Sequence, residues 1–328
     1  MKKIIISLLA AIILFGCRQS AKITNSSRSD NIETLNIVSP AVRDNTIGEP
    51  EEKTIYVFLP PGYDDSKDRY PVIYFFHGQG SDSTEMLNFE TYIFSSMEKG
   101  KIEPFIIVAV NGDTSLGGSF YVNSSRTGRW QDHISEELVP LIDKRYRTIA
   151  AAESRGLMGF SMGGFGVLNM GLSRPDLFGS VWALCPGILV PEKGLRDALA
   201  TWRNDEIFLT CYSAAFSEPG KLPAFDGTDE DNKIISEWES GFGNWEPRID
   251  RYLSGEERLK EIRIVYGRVD MYRWIPEGSL YLAGLLKSKS IPVTIQDYPM
   301  GHTINAGLVI NDAVPFFERT LERSSVRE

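Results

Sequence analysis

From Lys53 onward the chain alternates two hydrophobic patterns, short runs that are apolar at nearly every position and longer stretches with apolar residues three and four apart. Thr54-Ile55-Tyr56-Val57-Phe58-Leu59 has the alternation of a strand with one covered face, and Pro60-Pro61-Gly62 ends it. Tyr70 to Phe76 and Phe105 to Val110 are nearly continuous, as expected of strands covered on both faces. Gly156 to Phe160, Ser180 to Cys185, Ile262 to Gly267 and Val293 to Tyr298 read as further strands. Between them, Ile134, Leu138, Leu141 and Ile142 give helical spacing to Trp130–Tyr146, Phe165, Val167, Leu168 and Met170 follow a strand at similar spacing, and Ala313 to Arg323 reads as a closing helix. Strands alternating with helices predict an α/β protein. Its sheet should be mostly parallel and doubly wound, with helices on both faces and an antiparallel first edge at the β-rich runs Ile32–Val42 and Lys53–Leu59. Ligand sites in such sheets lie at the carboxyl ends of the strands.

Between about residues 187 and 251 the alternation stops, and aromatic residues accumulate at Trp202, Phe208, Phe216, Phe225, Trp238, Phe242 and Trp245. This predicts a helical insertion over the strand ends, its aromatics forming a local core or lining an acyl or sugar pocket. At the amino end, Lys2 and Lys3 precede an apolar run from Ile4 to Phe15, too short for a membrane span but suited to a signal peptide. Leu14-Phe15-Gly16-Cys17 resembles a bacterial lipobox. That resemblance implies removal of residues 1–16, lipidation of Cys17, and an exported protein held on a membrane of the cell envelope by its acyl chains. Residues 17–31, with Cys17 followed by polar side chains, read as a flexible tether, leaving 32–328 as the folded domain. Lys plus Arg number 35 against 44 Asp plus Glu, a net charge of -9 without a basic run, which excludes nucleic acid as a partner. Cys185 and Cys211 are the remaining cysteines, open to a disulfide in an exported chain or to two buried thiols.

The chemistry converges on Gly159-Phe160-Ser161-Met162-Gly163. This is the GxSxG nucleophile elbow, in which a strand turns into a helix so sharply that glycine is needed two residues either side of the serine. The bare pattern is common by chance, so context must carry it. A serine needs a base, and the base needs a carboxylate to fix its tautomer. Of the three histidines, His77 and His133 precede Ser161, and only His302 follows it, in a loop after the last strand, where the order nucleophile, acid, histidine puts the base. His77 then shapes the glycine loop His77-Gly78-Gln79-Gly80, and His133 serves packing or surface. Asp270, just beyond the strand ending at Gly267, is the candidate acid; Asp297, inside the last strand, is its competitor. The oxyanion donors are the main-chain N–H of Met162 and, from the loop after the third strand, that of Gln79.

Together, Tyr74-Phe75-Phe76-His77-Gly78, Phe120-Tyr121-Val122-Asn123, Glu137-Leu138-Val139-Pro140 with Tyr146, Gly159 to Gly164 and Arg174-Pro175-Asp176-Leu177-Phe178 resemble the Putative esterase family of esterase D type. That family includes feruloyl and acetyl-xylan esterases, S-formylglutathione hydrolases and mycolyltransferases. The resemblance covers Lys53 to the carboxyl end and implies an α/β-hydrolase fold. It also implies a serine carboxylester hydrolase working through an acyl-enzyme with no metal or cofactor, on acyl or feruloyl esters of carbohydrates. An acyltransferase using the same three residues, or a non-catalytic glycan-binding surface lipoprotein, are the alternatives. After His302 the chain has Thr303-Ile304-Asn305 where many members carry tryptophans.

Overall fold

The computed structural model describes residues 20–191, 206–216, 236 and 243–323. Three antiparallel strands come first, β1 (Lys22–Ser29), β2 (Ile32–Val38) and β3 (Glu52–Phe58). Next are β4 (Val72–Phe76) and β5 (Ile106–Val110), and then a two-residue-per-strand hairpin of β6 (Asn123–Ser124) and β7 (Gly128–Arg129). Four more strands follow, β8 (Arg155–Phe160), β9 (Ser180–Leu184), β10 (Glu261–Gly267) and β11 (Val293–Tyr298). All but the small hairpin join one nine-stranded sheet in the order β1-β2-β3-β5-β4-β8-β9-β10-β11. From β5 to β11 every neighbouring pair is parallel, and the antiparallel pairs sit at the β1 side, as the hydrophobic pattern predicts.

The continuous apolar runs are the centre of this sheet. β4, β5, β8 and β9 are buried at every position, whereas β2 and β3 alternate, with Leu35, Ile37, Ile55 and Val57 on the covered face. Each fully buried aliphatic side chain of this kind contributes about 1.5–3 kcal/mol relative to an exposed one.

The expected tether is partly a correction. Lys22–Ser29 pairs with β2 through a turn at Asp30-Asn31, and Asp30 takes a left-handed φ of 49°. Main-chain pairing needs no apolar side chains, so a polar segment can form an edge strand, and Asp and Asn accept left-handed turn geometry. The folded domain therefore begins near Lys22, not at residue 32. The run expected as a strand to Val42 stops at Val38, because Ser39 caps a helical turn, Pro40–Arg43, accepting the Val42 N–H at 3.1 Å. Trp130–Arg145 is helical as expected, with wider π-type turns over His133–Leu138 ahead of Pro140, which lacks the N–H a regular turn would use. The closing helix starts seven residues earlier than the spacing suggests, at Ala306, where Asn305 accepts the Leu308 N–H at 3.0 Å, and it ends at Thr320.

Within the expected insertion, Glu206–Phe216 and Trp245–Ser254 are helices. The rings of Phe216 and Trp245 pack edge-on against Phe165 at 5.7 and 5.4 Å, consistent with a local core. Trp202, Phe225, Trp238, Phe242 and the side chain of Phe208 lie outside the described residues, as do the expected signal peptide and Cys17.

The last three strands are tied together by one carboxylate. Asp312, in the closing helix, accepts from Trp182 Nε1 of β9 at 2.8 Å, from Arg263 Nε and Nη2 of β10 at 2.6 Å each, and from the Tyr298 hydroxyl of β11 at 2.6 Å. Burial pushes this carboxyl up, but the Arg263, Tyr298 and Trp182 donors outweigh it and hold it below the usual carboxylate range. Asp312→Ala should destabilise the fold by about 3–5 kcal/mol in urea denaturation, because it strands the Arg263 guanidinium and two further donors.

Candidate active site

The elbow is built by crowding. A Cβ on Gly163 would lie 2.0 Å from the Phe76 carbonyl oxygen, and one on Gly159 would lie 2.2 Å from the Gly163 oxygen. Neither position admits a side chain, so β8 and the helix Met162–Ser173 approach closely enough to force Ser161 into φ 56°, ψ -112°. Neighbouring main chain holds that strained residue, with its N–H donating to Leu184 O at 2.9 Å and its own oxygen accepting from Gly187 N at 3.1 Å. The hydroxyl is left half-buried at the mouth of the helix.

His302 and Asp270 reach this hydroxyl from the ends of β11 and β10. Ser161 Oγ donates to His302 Nε2 at 2.8 Å, and His302 Nδ1 donates to Asp270 Oδ2 at 2.8 Å. The other carboxylate oxygen accepts the Tyr272 N–H at 2.9 Å, and Asp270 is buried. Phe160 lies against the imidazole at 4.9 Å and Tyr272 meets it edge-on at 5.1 Å, so the ring is fixed on its faces as well as at both nitrogens. The two loops are also stitched to each other, Arg268 N–H donating to Tyr298 O at 2.8 Å and Val269 N–H to Met300 O at 3.1 Å. Asp297 does not join them. Its carboxylate pairs with Arg268 at 2.7 Å on a more exposed part of the same edge.

The glycine loop after β4 stands beside the serine, a Cβ on Gly78 falling 3.6 Å from Ser161 Cβ. A buried histidine and a half-buried glutamate clamp it. His77 Nδ1 donates to Gly78 O at 2.7 Å while its Nε2 accepts the Gly112 N–H at 2.9 Å, and Glu85 accepts the Gly78 N–H at 3.1 Å. Because a trans peptide points its C=O and N–H in opposite directions, the His77 contact turns the Gln79 N–H away from the imidazole. Among the described residues neither that N–H nor the one of Met162 donates in a hydrogen bond. Glu85 carries no signal in the sequence pattern, since it sits in a polar run seven residues from its partner; burial pushes its carboxyl up.

The other candidate side chains fall elsewhere. His133 is buried against Trp130, its Nδ1 3.1 Å from Glu137 Oε2, a packing position. Cys185 and Cys211 are buried free thiols rather than a disulfide. Among the described residues the one grouping dense enough to hold a metal ion is Cys185, Asp270 and His302, which is the hydrogen-bonded Asp270–His302 pair with a thiol beside it. Next to the glycine loop a cavity of about 460 Å³, wide enough for a sugar-sized group, is lined by Gly80, Asp113, Thr114, Ser115, Leu116, Gly117 and Thr210. In chemical terms the site offers a hydroxyl bonded to an imidazole, a carboxylate behind that ring, and a helix N-terminus and a glycine loop beside the hydroxyl.

A sequence model of the family described as Putative esterase matches residues 48–247. Over 166 residues the chain is 32% identical to a protein of Xylanibacter ruminicola named endo-1,4-beta-xylanase/feruloyl esterase, a match covering 48% of this chain and 22% of that one. The S-formylglutathione hydrolase FrmB of Staphylococcus aureus has a TM-score of 0.61 at 16% identity, over 87% of this chain and 97% of its own. The ferulic acid esterase AmCE1/Fae1A of Anaeromyces mucronatus, solved with ferulic acid, has a TM-score of 0.56 at 19% identity, over 91% and 97%. These likenesses establish the α/β-hydrolase fold.

Burial of His77 lowers its imidazole from 6.5 to about 4, so the folded state keeps it neutral while the unfolded chain takes up a proton. Stability should therefore fall as pH drops from about 6.5 to about 4, by about 3 kcal/mol from this residue. Urea midpoints measured across that window should show a shallower decline in His77→Gln than in the parent.

Proposed function

The chain belongs to the Putative esterase family, and on that premise we propose that it is a serine carboxylester hydrolase working through an acyl-enzyme, with acyl or feruloyl esters of carbohydrates as substrates. The observation that carries this reading is the unbroken relay Ser161 Oγ, His302 and Asp270, with 2.8 Å at each link. The Ser161 oxygen attacks the ester carbonyl as His302 Nε2 takes its proton. The same nitrogen then protonates the departing alcohol, leaving the acyl group on Ser161. Water attacks the acyl carbonyl as His302 takes its proton, and the return of that proton to Ser161 Oγ breaks the acyl–serine bond, releasing the acid and restoring the hydroxyl. Asp270 holds the ring in the tautomer with its proton on Nδ1 and balances the imidazolium. The tetrahedral oxygen is held by the Met162 and Gln79 N–H groups, each worth about 3–4 kcal/mol in the transition state.

Two features support the carbohydrate side of the proposal. The cavity beside the glycine loop has Asp113, Thr114, Ser115 and Thr210 in its wall, side chains able to meet a hydroxylated group, and the matched relative from Xylanibacter ruminicola carries feruloyl esterase in its name. The amino-terminal pattern ending at Cys17 supports a lipid-anchored address in the cell envelope, where polysaccharide esters are within reach.

Ser161→Ala should leave the thermal midpoint near that of the parent, abolish hydrolysis of a short p-nitrophenyl ester and abolish labelling by a fluorophosphonate. Labelling that persisted would put the nucleophile at another residue. Side-by-side rates on methyl ferulate, acetylated xylan and simple acyl esters should favour the first two, and equal or better turnover of the simple esters would remove the carbohydrate assignment.

A further inference from the structure

Cys185 occupies the point where the three strand ends that carry the acid–base pair meet. It is the first residue beyond β9, and its N–H donates to Val265 O of β10 at 2.7 Å. Its backbone lies in the left-handed region at φ 44°, a conformation that costs a non-glycine residue about 1–3 kcal/mol and persists only where the surroundings enforce it. The side chain is wholly buried, and its sulfur, an Asp270 oxygen and a His302 ring nitrogen all lie within 4.8 Å of one another. The thiol thus faces the Asp270 carboxylate across no more than 4.8 Å, and Gly267 and Thr303 border the sulfur. Gly267 ends β10 just before the acid, and Thr303 directly follows the base. Burial and the adjacent Asp270 push the thiol up to about 12, so it stays protonated and can only donate to the carboxylate.

We propose that Cys185 is a positioning residue for the acid–base pair, its S–H sharing the Asp270 carboxylate with His302 while its sulfur ties the acid loop to the base loop. The proposal rests on Ser161, His302 and Asp270 being the catalytic residues. A buried thiol that merely fills space contributes volume and leaves the charge on Asp270 unshared. A thiol that donates to the carboxylate draws charge away from the imidazole side. Removing it strengthens the pull of Asp270 on the imidazolium, so the base should hold its proton to higher pH. The groups facing the His302 ring are Asp270 and Cys185 on one side, Ser161 on the other, the rings of Phe160 and Tyr272, and Glu85 through space.

The test is the pH profile of kcat/KM on a p-nitrophenyl ester for the parent, Cys185→Ala and Cys185→Ser. In Cys185→Ala the acid limb should move up by about half a unit and kcat on the plateau should fall about threefold with KM within about twofold. In Cys185→Ser, whose O–H replaces the S–H, the limb should return to the parent position. Cys185→Gly, which suits the left-handed backbone, supplies the same deletion should the alanine variant not fold. An acid limb unmoved or lowered in the deletion variant, or moved as far by serine as by alanine, overturns the proposal. Ser161→Ala measured alongside separates the two levels. Residual hydrolysis there removes the catalytic assignment itself, whereas its loss together with an unmoved limb in the deletion variant removes only the role of the thiol.

Discussion

The Phe76 carbonyl oxygen presses against Gly163 and the Gly163 oxygen against Gly159, and the rest of the site depends on that contact. It brings a strand, a helix and the neighbouring strand end closer than any side chain would permit. The serine between them is held in a backbone conformation it would not adopt alone. Strain of this kind persists only when the surroundings are rigid, which here means β4, β8 and β9, each buried along its whole length. The elbow is thus a product of the sheet interior rather than of its own few residues.

Asp270 and His302 come from the other side of the same sheet, and their placement is set by the order of the parallel strands. β8, β9, β10 and β11 lie side by side, so loops leaving their carboxyl ends open onto one crevice. Asp312 locks β9, β10 and β11 from the closing helix, and the main-chain bonds from Arg268 and Val269 lock the loops above. Ser161, Asp270 and His302, distant in the chain, are brought together by that construction more than by their contacts with one another. The polar links are the last stage of an arrangement made by apolar packing.

Much of this was legible in the sequence. Where a strand is covered on both faces its residues must be apolar throughout, so β4, β5 and the strands flanking the elbow announce themselves. The elbow glycines do so because nothing else fits, and His302 because it is the one histidine downstream of Ser161. What escaped notice depends on partners rather than on pattern. β1 is polar and is a strand only because β2 lies beside it. Glu85 matters through the Gly78 N–H, Asp312 through three other elements, and the start of the closing helix through the side chain of Asn305. Each is a contact made in three dimensions by residues whose local sequence is ordinary, and hydrophobic periodicity has no access to it.

The polar first strand has a consequence for behaviour at high local density. Among the described residues no strand pairs with the outer edge of β1, and an edge of that kind invites a second molecule to add its own strand. Here the strand carries Lys22, Asn25, Ser26 and Arg28, giving a would-be partner charge and hydration in place of apolar contact. Molecules at high concentration would therefore stay separate, each with its crevice unobstructed.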